Sequence, residues 1–140
     1  MTGPNDLVSV RYMVDDVEKS VVFYKKYFGF DLLHQYPPFA DMVRGRLRLL
    51  LSGPASSAAL PMPDGVKPGP GGWNRIHLVV DDIEAEVARL RAAGARFRNN
   101  IIEGPGGKQV LVQDPSGNVI ELFQFASELG EGASGEGHRS

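Results

Sequence analysis

Apolar and polar residues alternate near the start of the chain, and a helical period follows at once. Apolar side chains occupy every second position of residues 7–14, which predicts a strand with one buried face. Asp15-Asp16 then precedes apolar residues at helical spacing, and Gly29 stands where a glycine ends a helix. Three extended runs follow, separated by proline and glycine turns, at residues 31–36, 39–44 and 46–52.

The same order returns in the second half of the chain. Residues 73–80 alternate, Asp81-Asp82 precedes a second helical stretch that ends at Gly94, and three more extended runs follow. VDDVEKS matches VDDIEAE 66 residues later, and Gly45–Leu51 matches Gly117–Phe123 72 residues later. A repeat of this length predicts two strand–helix–strand–strand–strand modules that share one core.

Composition shifts predict where these modules begin and end. Residues 53–72 are rich in proline, glycine, serine and alanine and have no apolar period, which predicts a linker or surface loop. Residues 127–140 are small, polar and glycine-rich, which predicts a disordered tail. The first module is therefore expected in residues 1–52 and the second in residues 73–126.

Charge and cysteine content narrow the classes of function. The chain has 15 basic and 17 acidic residues, a net charge of −2, which does not favour a nucleic-acid partner. The absence of cysteine excludes disulfide frameworks, thiolate metal sites and a cysteine nucleophile. There is no apolar run of about 18 residues and no signal-peptide pattern at the N-terminus, so we expect a cytoplasmic protein without a membrane partner.

The motifs of both modules resemble those of the vicinal oxygen chelate superfamily, which includes glyoxalase I, extradiol dioxygenases and bleomycin-binding resistance proteins. The resemblance lies in the repeated V-D-D-[VI]-E, in RLRAAGARF and above all in DPSGNVIELFQ, and it covers about residues 7–125. It implies an α+β fold in which two βαβββ modules form an open barrel-like cup. It also implies that modules often pair across a homodimer.

In metal-dependent members of this superfamily, the first and last strands of each module supply the metal ligands. The resemblance places these positions at Ser9 and Arg75 on the first strands and at Leu49 and Glu121 on the last strands. Leu49 has no donor atom, neutral Ser9 is a poor ligand, and a guanidinium has no lone pair to give. Glu121 alone suits a divalent metal, so we predict no metal site and no cofactor.

Opposite charges at two of these positions predict a different arrangement. Arg75 and Glu121 lie on strands that the fold places side by side, so we predict an ion pair in place of the metal. It either seals the floor of the cup or turns Arg75 towards a ligand. His77, two residues after Arg75, faces the same way and is a candidate general base near neutral pH. A metal site built from His77, His34 and Glu121 stays open as an alternative.

Alternation predicts the lining of the cup as mostly apolar, as in small-molecule sites. The residues expected to face it are Arg11, Met13, Leu47, Leu49, Leu51, Val119 and Phe123, with Trp73, Tyr36 and Phe39 at the rim. The candidate catalytic residues are Glu121 and His77. The candidate ligand-binding residues are Arg75, Arg11, Ser9, Leu49, His34, Tyr36, Trp73 and Phe123.

Three functions remain open. The first is a metal-free protein that binds an organic small molecule in the cup, as a drug-sequestering resistance protein does. The second is a lyase, isomerase or dioxygenase that uses Glu121 and His77, with or without a divalent metal. The third is an interaction module whose cup is filled by its own side chains.

Overall fold

The computed structural model describes residues 8–127 in two compact units. One unit comprises residues 8–73 with Asp114–Asn118, and the other comprises residues 74–113 with residues 119–127. The elements in chain order are β1 (Val8–Met13), α1 (Val17–Phe28), β2 (Asp31–Tyr36), β3 (Phe39–Arg44), β4 (Leu47–Ser52), β5 (Ile76–Val79), α2 (Ile83–Ala92), β6 (Arg96–Phe97), β7 (Ile102–Gly104), β8 (Gly107–Gln113) and β9 (Val119–Phe125).

The first module is a four-stranded open sheet with one helix. The strand order is β1-β4-β3-β2, and β1 is parallel to β4 while the other neighbours are antiparallel. Helix α1 begins where Asp16 accepts a hydrogen bond from the Lys19 amide, and it ends at Gly29, whose φ of 68° suits glycine best. The predicted helix and strands of this half are confirmed.

The second module repeats this plan with shorter strands. The strand order is β5-β9-β8-β6, with β7 also paired to β8, and β5 is parallel to β9. Asp82 caps α2 by accepting from the Ala85 amide. The strand predicted over residues 73–80 covers only Ile76–Val79, and the run predicted over residues 95–104 is two short strands. Both sheets remain open, and the α+β class is confirmed.

Each helix covers one face of its own sheet. In the first module α1 packs on β3 and β4, and the strand residues beneath it are fully buried. In the second module α2 packs on β9. Buried residues on this side of the strands include Tyr12, Ala40, Met42, Leu49 and Leu51 in the first module and Ile76, Leu78, Val110, Val112, Ile120 and Leu122 in the second. The other face of the first sheet carries exposed side chains, whereas on the other face of the second sheet Val119, Glu121 and Phe123 are also buried.

Strand register corrects the predicted correspondence between the two last strands. The helix caps keep the 66-residue spacing, so Arg11 corresponds to His77. Arg11 pairs with Leu50 across β1 and β4, and His77 pairs with Glu121 across β5 and β9. The first-module position that corresponds to Glu121 is therefore Leu50, not Leu49.

The Asp114–Asn118 turn belongs to the first unit and is held by the Asp114 carboxylate. Asp114 is fully buried and accepts from the Tyr24 hydroxyl at 2.8 Å, the Ser116 amide at 2.9 Å and the Asn118 amide at 2.8 Å. The Asn118 side chain donates to Asp114 and to the Met13 carbonyl. Burial, followed by the charge of Asp114, raises the pKa of Tyr24 well above its usual value. The D-P-S-G-N motif thus forms a turn that the hydrogen bonds of Asp114 and Asn118 hold in place.

Residues 53–72 form loop apart from a short 3-10 helix, Ser57–Ala59, and they lie within the first unit. The predicted disordered tail falls outside the described residues except for Ser127. In the described part of the chain, neither helix has the length and apolar character required to cross a bilayer.

Candidate functional site

The open face of the first module carries two arginines. In β1 and β4, Arg11 pairs with Leu50 and Ser9 pairs with Arg48, so these side chains share the face that α1 leaves uncovered. In the next strand Asp41 pairs with Leu50 and extends the same row. The row ends at His34 on β2.

Serine hydroxyls hold both guanidinium groups. Arg11 donates through Nη1 to Ser52 Oγ at 3.0 Å, and Arg48 donates through Nε to Ser9 Oγ at 3.1 Å. No carboxylate in residues 8–127 lies at ion-pair distance from either guanidinium. A hydroxyl can orient a guanidinium but cannot neutralise its charge, so this face keeps two full positive charges.

A groove of about 350 Å³ lies on this face. Its apolar lining comes from Pro38, Phe39 and Leu50, beside both arginines. Asp41 also lines it, with its side chain 19% exposed and its Oδ2 3.6 Å from Nδ1 of His34. The groove therefore combines apolar side chains with two arginines and one carboxylate, a mixture found in sites for small organic molecules.

The open face of the second module carries a carboxylate with two nitrogen-bearing neighbours. Arg75 donates through Nε to Oε1 of Glu121 at 3.0 Å, and Nε2 of His77 lies 3.6 Å from Oε2 of Glu121. Only 10% of the Glu121 side chain is exposed. The His77 ring lies against the Phe123 ring, with 5.0 Å between centroids. The predicted pairing of Arg75 with Glu121 is confirmed.

His77 is the member of this trio that a bound molecule reaches most easily, since 42% of its side chain is exposed. Arg75 is fixed by Glu121, and the carboxylate neutralises its charge. The trio can therefore offer hydrogen bonds and an aromatic surface, while it offers a ligand little net charge. The open faces of the two modules thus differ in net charge.

The residues at the metal-ligand positions of the superfamily do not fit a divalent metal. After the register correction these positions hold Ser9, Leu50, Arg75 and Glu121, and Leu50 lacks a donor atom as Leu49 does. Within residues 8–127 there is no cluster of three or more His, Asp or Glu side chains placed to hold a metal. The alternative site of His77, His34 and Glu121 takes residues from both units and stays a prediction.

Other candidate residues divide between the open faces and the core. Leu49 is fully buried beneath α1, so its predicted place on the open face is wrong, and Leu51 is buried in the same way. Tyr36 and Trp73 are exposed, and the Tyr36 ring lies 5.1 Å from that of Phe39. Phe123 shares the face of His77 but is only 8% exposed.

Sequence reasoning missed Arg48 and Leu50 as residues of the open face. The 72-residue offset between the two modules predicted that the odd-numbered leucines of β4 face the ligand. It therefore placed Arg48 and Leu50 on the opposite face. The pairing of Ser9 with Arg48 reverses that assignment. The sequence carries no local signal for these contacts, because Arg48 bonds Ser9 and Arg11 bonds Ser52 across strands that are distant in the chain.

Known proteins resemble this chain in sequence and in fold. It is 32% identical over 82 residues to "Putative glyoxylase CFP32" of Mycobacterium bovis, a match that covers 57% of this chain and 31% of that protein. The chain thus spans about a third of the length of the curated relatives it matches.

Solved structures match nearly the whole chain. TnmS3, an antibiotic binding protein from Streptomyces sp. CB03234, is 29% identical with a TM-score of 0.67, and the match covers 86% of this chain and 95% of TnmS3. A lactoylglutathione lyase from Agrobacterium tumefaciens shares the fold at 22% identity, with a TM-score of 0.68 and coverage of 88% and 96%. The family profile described as Glyoxalase/Bleomycin resistance protein/Dioxygenase superfamily matches residues 6–122. With two βαβββ modules of the expected topology, the chain belongs to this superfamily, the vicinal oxygen chelate proteins.

Proposed function

We propose that this protein binds a small organic molecule on the open faces of its sheets without a catalytic metal. The observation that carries the proposal is the Arg75–Glu121 ion pair. It occupies two of the superfamily's metal-ligand positions with a cation and its counter-ion. An arginine already present there opposes a divalent cation by charge and gives it no lone pair.

Two features support binding rather than chemistry. The groove of the first module combines Phe39 and Leu50 with charged side chains, as small-molecule sites do, and it is not filled by the module's own side chains. Among the relatives, TnmS3 is described as an antibiotic binding protein. A drug-sequestering role fits both features and is the specific form of the proposal.

A thermal-shift screen of planar antibiotics tests this role with the full chain. A ligand at 100 times its dissociation constant adds about 2.7 kcal/mol to the free energy of unfolding and raises the midpoint clearly. Each compound is tested with and without EDTA, because the proposal requires the same shift in both. A shift that EDTA abolishes contradicts the metal-free proposal.

A second candidate is a lyase, isomerase or dioxygenase that uses His77 and Glu121. It is favoured by the exposed imidazole of His77 beside a nearly buried carboxylate. A glyoxalase assay with methylglyoxal and glutathione, with and without added divalent metal, tests the lyase form. Turnover that His77→Gln abolishes, with an unchanged unfolding midpoint, supports this candidate over the first.

The expected homodimer and cytoplasmic location remain predictions. Strand β2 is exposed along its whole length, and Leu32, Leu33 and Tyr36 present large apolar side chains to solvent, which supports pairing with a second chain. Sedimentation equilibrium of the full chain tests the dimer, and fractionation of the source cells tests the location. We keep the expectation of no nucleic-acid and no membrane partner.

A further inference from the structure

We propose that the groove of the first module recognises an organic anion, with Arg11 and Arg48 binding the anionic group and Phe39 and Leu50 binding an apolar body. This inference rests on the proposed function, since it names the ligand class of that groove. The carboxylate is the simplest such group, and other anions with two or more oxygens share its chemistry.

Arg11 and Arg48 differ from several other basic residues in the kind of group that they contact. Elsewhere in residues 8–127 the side chains of Arg75, Arg89 and Lys108 contact carboxylates at 2.6 to 3.0 Å. Arg11 and Arg48 contact serine hydroxyls instead. Each guanidinium has five N–H donors, and one bond to a hydroxyl leaves most of them for a ligand.

The placement of the arginines brings both side chains to the same groove. Arg11 pairs with Leu50 and Arg48 lies two residues before Leu50, so the two are diagonal neighbours on adjacent strands. With a strand spacing of about 4.8 Å and a rise of about 3.3 Å per residue, their Cα atoms are about 8 Å apart, and both side chains line the same groove. The serine bonds hold them in place, which lowers the entropy lost on binding.

The remainder of the groove suits an apolar body. Pro38, Phe39 and Leu50 form its wall, and the ring of Tyr36 lies next to that of Phe39. A volume of about 350 Å³ is at the lower end of the range for small-molecule sites and admits a molecule of two fused rings. An aromatic or alicyclic acid meets both requirements.

One acidic side chain opposes this preference. Asp41 lines the groove from β3, two strands away from Arg11, and its Oδ2 lies 3.6 Å from His34. Two arginines against one carboxylate leave a net positive groove. Asp41→Asn should therefore strengthen anion binding modestly, and it provides a test in the opposite direction to loss of an arginine.

Calorimetric titration with 2-naphthoate and 2-naphthamide tests the proposal. The two probes have nearly the same shape and differ in charge. We expect the full chain to bind naphthoate about tenfold or more tightly than naphthamide, as charge-assisted hydrogen bonds add to the apolar contact. Added salt should weaken naphthoate binding and leave naphthamide binding nearly unchanged.

Matched variants locate the effect. Arg48→Gln should abolish most of the preference for naphthoate, and Arg48→Lys should restore part of it because the charge returns without the planar fork. Arg46→Gln removes the same charge from an exposed turn outside the groove and should leave the preference intact. The unfolding midpoint of each variant shows that it is folded.

The outcomes separate this inference from the proposed function. A naphthoate preference that depends on Arg48 supports both. Equal binding of the two probes, or a preference unchanged in Arg48→Gln, overturns the anion inference and leaves small-molecule binding standing. If neither naphthoate nor naphthamide binds, the anion inference is overturned. If the antibiotic screen also finds no ligand, the proposed function is overturned as well.

Discussion

The two modules share one topology, but the arginines on their open faces have different kinds of partner. In the first module Arg48 is held by Ser9, and in the second Arg75 is held by Glu121. Both arginines lie on open faces, and both donate through Nε at about 3 Å. The partner determines whether the charge of the guanidinium is neutralised. A serine hydroxyl leaves the positive charge available to a ligand, whereas a carboxylate cancels it.

This difference shows how one repeated unit can carry two kinds of surface. The core of each sheet stays apolar, since helix packing requires it, while the open face is free to vary. The side chains on the open face of the first module form a groove with two arginines. Those on the open face of the second module form a neutral ion pair beside His77 and Phe123. Retention of a fold therefore says little about which face binds a ligand.

The largest expected effect tests the strand register on which the comparison depends. Leu49→Glu places an unpaired carboxylate in the core beneath α1 and should lower the free energy of unfolding by about 4 kcal/mol or more. Leu50→Glu places it in the open groove and should cost less than about 1 kcal/mol. Urea denaturation measures both, and equal losses would contradict the corrected register.

A smaller effect separates the two arginines. Arg75→Ala removes the hydrogen-bonded arginine from the nearly buried Glu121 and should lower the free energy of unfolding by about 1–3 kcal/mol. Arg48→Ala removes a bond to an exposed serine hydroxyl and should change stability by no more than about 0.5 kcal/mol. Chemical denaturation at neutral pH compares them. A loss for Arg48→Ala as large as that for Arg75→Ala would show that its charge is not available for a ligand.

The smallest effect concerns the helices. Tyr24 of α1 holds Asp114, whereas the corresponding Leu90 of α2 is simply buried. Tyr24→Phe should cost about 1–2 kcal/mol, because Asp114 keeps its other donors. The raised pKa of Tyr24 means that the folded state holds the phenolic proton more tightly, so the wild-type protein should lose stability as the pH rises above about 10.

This pH dependence has a direct control. The Phe variant lacks the phenol, so the stability difference between the two proteins should narrow from about pH 10 upwards. Urea unfolding across this range follows it. A difference that stays constant would show that the alkaline loss does not come from Tyr24.

The local pattern predicted more of the fold than of the site. Helix α1 was predicted because Asp16 caps it, Gly29 ends it, and apolar residues recur on one side. The faces of β4 could not be assigned because Leu49, Leu50 and Leu51 are apolar in succession and show no alternation. Their orientation depends on the pairing with β1, a long-range contact that a local pattern does not contain.

The pairing of Arg75 with Glu121 was predicted because parallel neighbours in this topology place side chains next to each other. The groove of the first module was not predicted, since Arg48 and Leu50 were assigned to the wrong face. Residues 73–75 were expected in a strand, but β5 begins at Ile76. Strand ends depend on which hydrogen-bond partners remain, and the sequence shows these only indirectly.

Metal content tests the central claim most directly. The full chain is purified without chelator or affinity metal, and its Fe, Mn, Ni and Zn are measured by mass spectrometry against protein concentration. An arginine paired with Glu121 at the superfamily's metal positions predicts only trace metal, with Arg75→Ala no richer than the wild type. One ion per chain, lost together with ligand binding in Glu121→Gln, would contradict the account.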